Sequence, residues 1–465
     1  MGKHQLSSLF AALALVTGAG RSSADSRASQ FHLSFTSDGS GDYILDWATP
    51  SSKASAEIFY GVAPNALTRV AKGVANGVVE EAPGTFVNTW TARLTGLKRD
   101  AVVYYAPENV TSPTSPVEQQ RPLCDDDSVE PTQAPPSVPI RQFRARSLRD
   151  EDLTWAIYGD MGSPGASNVS GLALPALKRA AVEDKAFDAM FNLGDLAYEL
   201  TLANGKIYMD ELEPVTSRVP MQITTGNHEY RYALAPHFTL RNYNRRFAGQ
   251  LDGVGKPSGS NSKEYYSFDS GHVHFVVLNT EFYSKDQYVK ELPTGEWIQA
   301  NETRGADAKV QLEWFKNDLS RVDRRATPFI VVLGHRCHYE SPKRLDDSKN
   351  KFGRDLVPVM HDYDVDLYVC GHTHHYMVLK ESTWNNYRIP PIIVTGTAGK
   401  YSGLDSFNDI ELGHFEPLYR EERFGYGYLK ATAQSLEWRW GNTATPDAKA
   451  TPWTYSHSQS FPRRV

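Results

Sequence analysis

Five polar clusters in the 465-residue chain gather side chains that bind metal ions: Gly159-Asp160-Met161-Gly162, Gly194-Asp195-Leu196-Ala197-Tyr198, Gly226-Asn227-His228-Glu229, Gly334-His335 and Gly371-His372-Thr373-His374. Each begins with glycine, which lets the backbone turn sharply and approach an ion closely. Taken singly, Gly-Asp is an ordinary turn, and a lone histidine at a strand end is ordinary packing. Five such clusters in succession, following apolar runs or in the loops between them, are not explained by turn chemistry. Asp160, Asp195, Tyr198, Asn227, His335, His372 and His374 offer carboxylate, phenolate, amide and imidazole donors. Hard oxygen with some imidazole and no thiolate suits iron, manganese or zinc. Seven donors are too many for one ion. They suit two ions roughly 3.5 Å apart that share one carboxylate, an arrangement that clamps the attacking and leaving oxygens of phosphoryl transfer.

Such clusters need rigid supports, and the chain after Asp150 supplies them. Apolar segments at Trp155–Tyr158, Ala189–Leu193, His274–Leu278, Phe329–Leu333, Leu367–Cys370 and Ile392–Val394 read as strands, with helical patterns over Leu172–Asp184 and Asp307–Val322. Strands buried on both faces with intervening helices predict a layered α/β domain, and ligands in such folds bind beyond the strand ends. Before Asp150 the pattern is different. Phe31–Phe35, Tyr43–Trp47, Ala56–Tyr60, Thr89–Leu94 and Val102–Tyr105 alternate apolar and polar residues between Gly, Pro and Asp, which predicts an all-β sandwich. A Pro-rich acidic stretch from about Ser112 to Pro139 reads as a flexible insertion before a last strand near Arg141–Arg146.

The length favours two domains, each able to bury a sizeable apolar interior. The net charge of −6, with both signs mixed along the chain, gives no basic stripe for nucleic acid and no polybasic membrane patch. Lys3, the apolar run Leu9–Val16 and the small residues that follow have the order of a signal peptide over residues 1–24; no later segment is long and apolar enough to span a bilayer. Secretion is therefore expected, with vacuole and cell wall as alternative destinations and no membrane anchor. Sequons at Asn109, Asn168 and Asn301 agree with that route. Three cysteines, Cys124, Cys337 and Cys370, exclude a disulfide-built scaffold. The odd count leaves at least one thiol unpaired or paired between chains, and Cys370, ending an apolar strand, reads as core packing.

The five clusters in order resemble the metallophosphoesterase superfamily, and Tyr198, three residues after Asp195, resembles its purple acid phosphatase branch of two-domain plant and fungal type. Leu94-Thr-Gly-Leu-Lys98, Tyr265-Tyr-Ser-Phe-Asp269 leading into Val273-His-Phe-Val-Val277, and Phe424-Gly-Tyr-Gly-Tyr428 are similar to that family as well, so the likeness runs from about residue 30 to 440. The resemblance implies a fibronectin-III-like domain over 25–148, a catalytic β-sandwich flanked by helices over 149–442, and a C-terminal tail over 443–465. It implies that Asp160, Tyr198 and His374 hold a ferric ion, that Asn227, His335 and His372 hold a divalent zinc, iron or manganese ion, and that Asp195 bridges the two. His228 would face the phosphate and protonate the leaving oxygen. Cys337 stands where the family usually has proline. The neighbouring His338 is a candidate phosphate contact, with packing as the alternative, and His361, His375 and His414 receive no role.

The expected activity is that of a secreted acid phosphatase that hydrolyses phosphate monoesters through a metal-bound hydroxide. A trivalent ion acidifies bound water more than zinc, which already brings it to about 7, so hydroxide is available in acid. No covalent phosphoenzyme is required, and the chain carries no Arg-His-Gly motif, Cys-x5-Arg loop or P-loop. Simple esters, phosphoproteins and phytate are all candidate substrates, and the sequence fixes no oligomeric state. Two rivals are a divalent-metal phosphodiesterase or nucleotidase, against which Tyr198 argues, and a silent binding protein, which needs a broken ligand where none is broken.

Overall fold

A computed structural model describes residues 27–464 except 108–138, 169, 232–238, 285–288, 292–293, 295–296, 301–302, 339–347, 401–402, 410–411, 414 and 445–449. The leader, the Pro-rich insertion, Asn109, Asn301, Cys124 and His414 lie outside these residues.

Alternating patterns in the first lobe produce two antiparallel four-stranded sheets. One is ordered Ser29–Phe35, Tyr43–Pro50, Thr85–Leu94, Val74–Ala82; the other Arg69–Lys72, Glu57–Gly61, Val102–Ala106, Arg141–Arg144. Phe31, Trp47, Ile58, Tyr105 and Phe143 fill the space between them. The predicted all-β lobe is borne out.

The second lobe stacks a six-stranded and a seven-stranded sheet, with helices outside, as expected of the α/β domain. In the first, Thr154–Tyr158, Ala189–Asn192 and Met221–Ile223 run parallel. In the second, Val273–Leu278, Phe329–Gly334, Leu367–Cys370 and Ile392–Thr395 run parallel. Val-His-Phe-Val-Val-Leu and Phe-Ile-Val-Val-Leu-Gly are buried at every position, which fits strands covered on both faces. Trp155 and Phe191 stack between the sheets at 4.6 Å, and Phe35 of the first lobe lies 5.9 Å from Trp155, so one continuous core joins both lobes.

The stretch 443–465 is not a tail. Ala450–Pro462 pairs antiparallel with Ser435–Ala444 as the outer strand of the six-stranded sheet. Its polar composition hid it, because an edge strand buries little. Glycines anchor it. A Cβ on Gly441 would stand 2.4 Å from the Trp453 ring, and one on Gly427 2.1 Å from the Trp438 ring. The glycines of Phe424-Gly-Tyr-Gly-Tyr428 thus make room for tryptophans laid across the strands. Cys370 also departs from expectation: it forms a disulfide with Cys337, Cα atoms 5.5 Å apart, across 33 positions that sequence alone could not pair.

The strand carrying His274 is tied to the helix Arg304–Leu319. His274 Nδ1 lies 2.7 Å from Asp269 Oδ1 on the neighbouring strand, and Nε2 lies 3.0 Å from Asp318 Oδ2 on the helix. Burial opposes the charged imidazole, but the two carboxylates prevail and push it up to about 9 from 6.5. Because the folded value is raised, this contribution is complete below pH 6.5 and is lost as pH rises through 9. Allowing for the exposure of Asp269, it is worth roughly 2 kcal/mol. His274→Asn is therefore expected to lower the melting temperature by a few degrees at pH 5.5 and much less at pH 9.5; equal losses at both would show that the ion pairs are not responsible.

Candidate metal centre

Each cluster sits where a parallel strand ends. Asp160, Asp195 and Asn227 follow Thr154–Tyr158, Ala189–Asn192 and Met221–Ile223; His335 follows Phe329–Gly334, and His372 and His374 follow Leu367–Cys370. The first three come from one sheet and the last three from the other, so the site lies where the carboxyl edges of the stacked sheets meet. Glycine keeps that junction open. A Cβ on Gly226 would stand 2.3 Å from Asp195 Oδ1, and one on Gly371 2.5 Å from Asp160 Oδ2. Asp160, Asp195, Tyr198 and His372 take φ of 60°, 51°, 51° and 65°. Such left-handed backbone in non-glycine residues is costly and gathers at functional sites.

The donors converge in two groups. In one, Tyr198 Oη lies 3.0 Å from Asp160 Oδ1 and 3.1 Å from His374 Nε2, and His374 Nε2 lies 3.2 Å from Asp160 Oδ1. In the other, His335 Nε2 lies 3.2 Å from Asn227 Oδ1, 3.4 Å from Asp195 Oδ1 and 3.1 Å from His372 Nδ1. Ligand atoms of Asp195, His335 and His372 all fall within 4.8 Å of one another. The groups touch through His372, whose backbone N–H donates to Asp160 Oδ2 at 2.8 Å. Every one of these side chains except Asn227 is buried.

The electrostatics call for a cation. Burial alone would raise the Asp195 carboxyl, but the His335 and His228 imidazoles hold it well below the usual range. Burial alone would lower His335; Asp195 and Asp160 instead push it up to about 10. Without an ion, a proton on His335 supplies the positive charge that the carboxylates require, and metal binding must displace it. The residues thus fit a pair of ions, one held by Asp160, Tyr198 and His374 and the other by Asn227, His335 and His372, with Asp195 beside them.

Three carboxylates, of which Glu229 and Glu281 are buried and Asp405 half-buried, fix these ligands from behind, and sequence reasoning gave none of them a role. Glu229 accepts from the backbone N–H groups of Gly226 at 2.8 Å, Asp195 at 2.9 Å and Leu196 at 3.1 Å, stapling two clusters together. Asp405 accepts from the His374 N–H at 3.0 Å and lies 3.1 Å from its Nδ1. Glu281 binds the Arg336 Nε at 2.9 Å, and Arg336 Nη1 lies 3.1 Å from His372 Nε2. Partners of this kind set the orientation of metal-bound imidazoles. Only Glu229 carried a signal, its place in the Asn-His-Glu cluster; the others are distant in sequence.

His228 is brought to the site without joining either group. Its Nδ1 lies 3.0 Å from Glu199 Oε1, which also accepts from Arg231 at 3.2 Å, and its Nε2 lies 3.8 Å from Asp195 Oδ2. His338, the candidate phosphate contact, is buried among the rings of Phe352, Trp384 and Phe415, at 5.6, 5.6 and 5.8 Å. His361 accepts from the Arg388 N–H and His375 packs on Phe407. Asn168 is exposed.

Residues 156–376 match the family model for calcineurin-like phosphoesterases, 28–121 that for the purple acid phosphatase N-terminal domain, and 389–449 that for the iron/zinc purple acid phosphatase-like protein C. Acid phosphatase type 7 of Mus musculus is 30% identical over 290 residues, covering 56% of this chain and 58% of that protein. Purple acid phosphatase 23 of Arabidopsis thaliana is 32% identical over 198 residues, covering 42% and 37%. The chain thus spans less than two thirds of these relatives. The purple acid phosphatase from yellow lupin seeds superposes with a TM-score of 0.61 at 18% identity, over 94% of this chain and 75% of that one, a likeness of fold.

Proposed function

The chain belongs to the purple acid phosphatase family, and on that premise we propose that it hydrolyses phosphate monoesters in acid at a centre of one ferric and one divalent ion. One observation carries the reading: the Tyr198 hydroxyl meets Asp160 and His374 within 3.1 Å, a phenolate, carboxylate and imidazole set suited to hard, strongly acidic iron. Zinc, iron or manganese suits the Asn227, His335 and His372 set. When bound, the two ions supply Lewis acidity to the phosphate and lower the pKa of an attacking water.

The chain's own side chains do the rest. Asp195, three residues before Tyr198 in sequence and 3.4 Å from His335 Nε2 in space, would be the shared carboxylate. Asn227, the one half-buried side chain of the set, and its neighbour His228 would receive the phosphate. Glu199 holds His228 Nδ1, which leaves Nε2 facing the Asp195 carboxylate; that nitrogen is placed to give a proton to the departing ester oxygen. Secretion and glycosylation of Asn168 belong to the same proposal. The intact ligand set favours this reading over a silent binding protein.

The test is phosphate release at acid pH from aryl and alkyl monoesters and from a diester. Monoesters are expected to be favoured, tartrate to have no effect, and His228→Ala to cost about 100-fold or more, with alkyl esters hit hardest because their leaving oxygen most needs a proton. Diesters as preferred substrates, or equal losses for aryl and alkyl esters, would count against it.

A further inference from the structure

We propose that the Cys337–Cys370 disulfide is a clamp that sets the divalent half of the centre and leaves the ferric half to other supports; this rests on the two-ion reading above. Each sulfur lies two residues from a ligand of the same ion, Cys337 after His335 and Cys370 before His372. The strands that carry them pair in parallel through Leu333 and Val369, and the last ladder bond runs from the Gly371 N–H to the His335 carbonyl at 2.9 Å. Beyond that bond the two chains leave the sheet, yet His335 Nε2 and His372 Nδ1 must stay 3.1 Å apart to share an ion.

The disulfide spans this point. It draws the loop after His335 back across the end of Leu367–Cys370, with both cysteines buried. Arg336, between His335 and Cys337, is held by the Thr280 hydroxyl on its backbone and by Glu281 on its side chain, and it touches His372 from behind. Fixing Cys337 therefore fixes His335 and, through Arg336, the back of His372. The ferric half depends on it less, meeting the clamped loop through the His372 N–H that donates to Asp160 Oδ2 at 2.8 Å. Asp160 and Tyr198 come from the other sheet, and His374 is held at its backbone and its Nδ1 by Asp405.

The cysteines are thus positioning residues, and the readout that separates positioning from mere stability is which ion is lost. Cys337→Ser, which cuts the bond with almost no change of volume, and the Cys337→Ala/Cys370→Ala pair are each compared with wild type. Iron content and visible absorption report the ferric half; zinc titration of the iron-bearing protein reports the divalent half. The expected result is zinc affinity weaker by about 10- to 100-fold, iron retained, and activity restored by excess zinc. Zinc affinity unchanged within about twofold, or iron and zinc lost together in both variants, would overturn the clamp. A wild type that takes up no second ion would instead overturn the two-ion reading beneath it.

Discussion

Asp195→Ala is expected to abolish activity while leaving the fold intact. The carboxylate is buried, is held below its usual pKa range by His335 and His228, and accepts from the His228 N–H at 2.9 Å. Removing it takes a ligand from the site, frees the backbone of His228 and leaves His335 without its nearest counter-charge. Loss of a residue that merely supports a ligand costs about 10- to 100-fold in metal affinity or activity, so loss of this one should exceed 100-fold in both. The core stays: the strand Ala189–Asn192 before it packs through Met190 and Phe191, which the substitution does not touch. Unchanged phosphate release by Asp195→Ala would place the chemistry elsewhere.

Tyr198→Phe carries the second large effect, and a more selective one. It deletes a single oxygen, the one that meets Asp160 Oδ1 and His374 Nε2, and leaves the ring edge-on to His228 at 4.3 Å. The visible band expected of a tyrosine–iron centre should disappear, and iron affinity should fall by at least about 10-fold. Zinc binding by Asn227, His335 and His372 should survive. A variant that keeps the band would remove Tyr198 from the ferric half. The two substitutions thus separate a shared ligand from a private one.

How much of this was legible in the sequence follows from the range of each interaction. The metal-binding clusters were readable because each is a few consecutive residues at the end of an apolar strand. The two lobes were readable because strands buried on both faces, such as Phe329–Gly334, have a composition unlike the partly exposed Glu57–Gly61. What failed to show depends on distant partners or on edges. Asp405 and Glu281 act on His374 and Arg336 from 31 and 55 positions away. The Cys337–Cys370 pair depends on a loop folding back over a strand. Ala450–Pro462 is polar and half exposed, and among its described residues only Phe461 is a buried apolar side chain, too little to betray a strand. His338 could be a phosphate contact or a packed ring by its position in the sequence; Phe352, Trp384 and Phe415, which surround it, come into view only in the fold.

The carboxylates around His335 also bear on metal binding. Asp195 and Asp160 favour the charged form of the His335 imidazole, so a proton and a metal ion would compete for one place. On the proposed reading, the stronger Lewis acid would belong with the phenolate set and the weaker one with the imidazole set.

The most direct test is elemental analysis of the purified wild-type protein. The account predicts one iron and one zinc, iron or manganese per chain. A fully active protein with no iron, or with a single ion per chain, would contradict it.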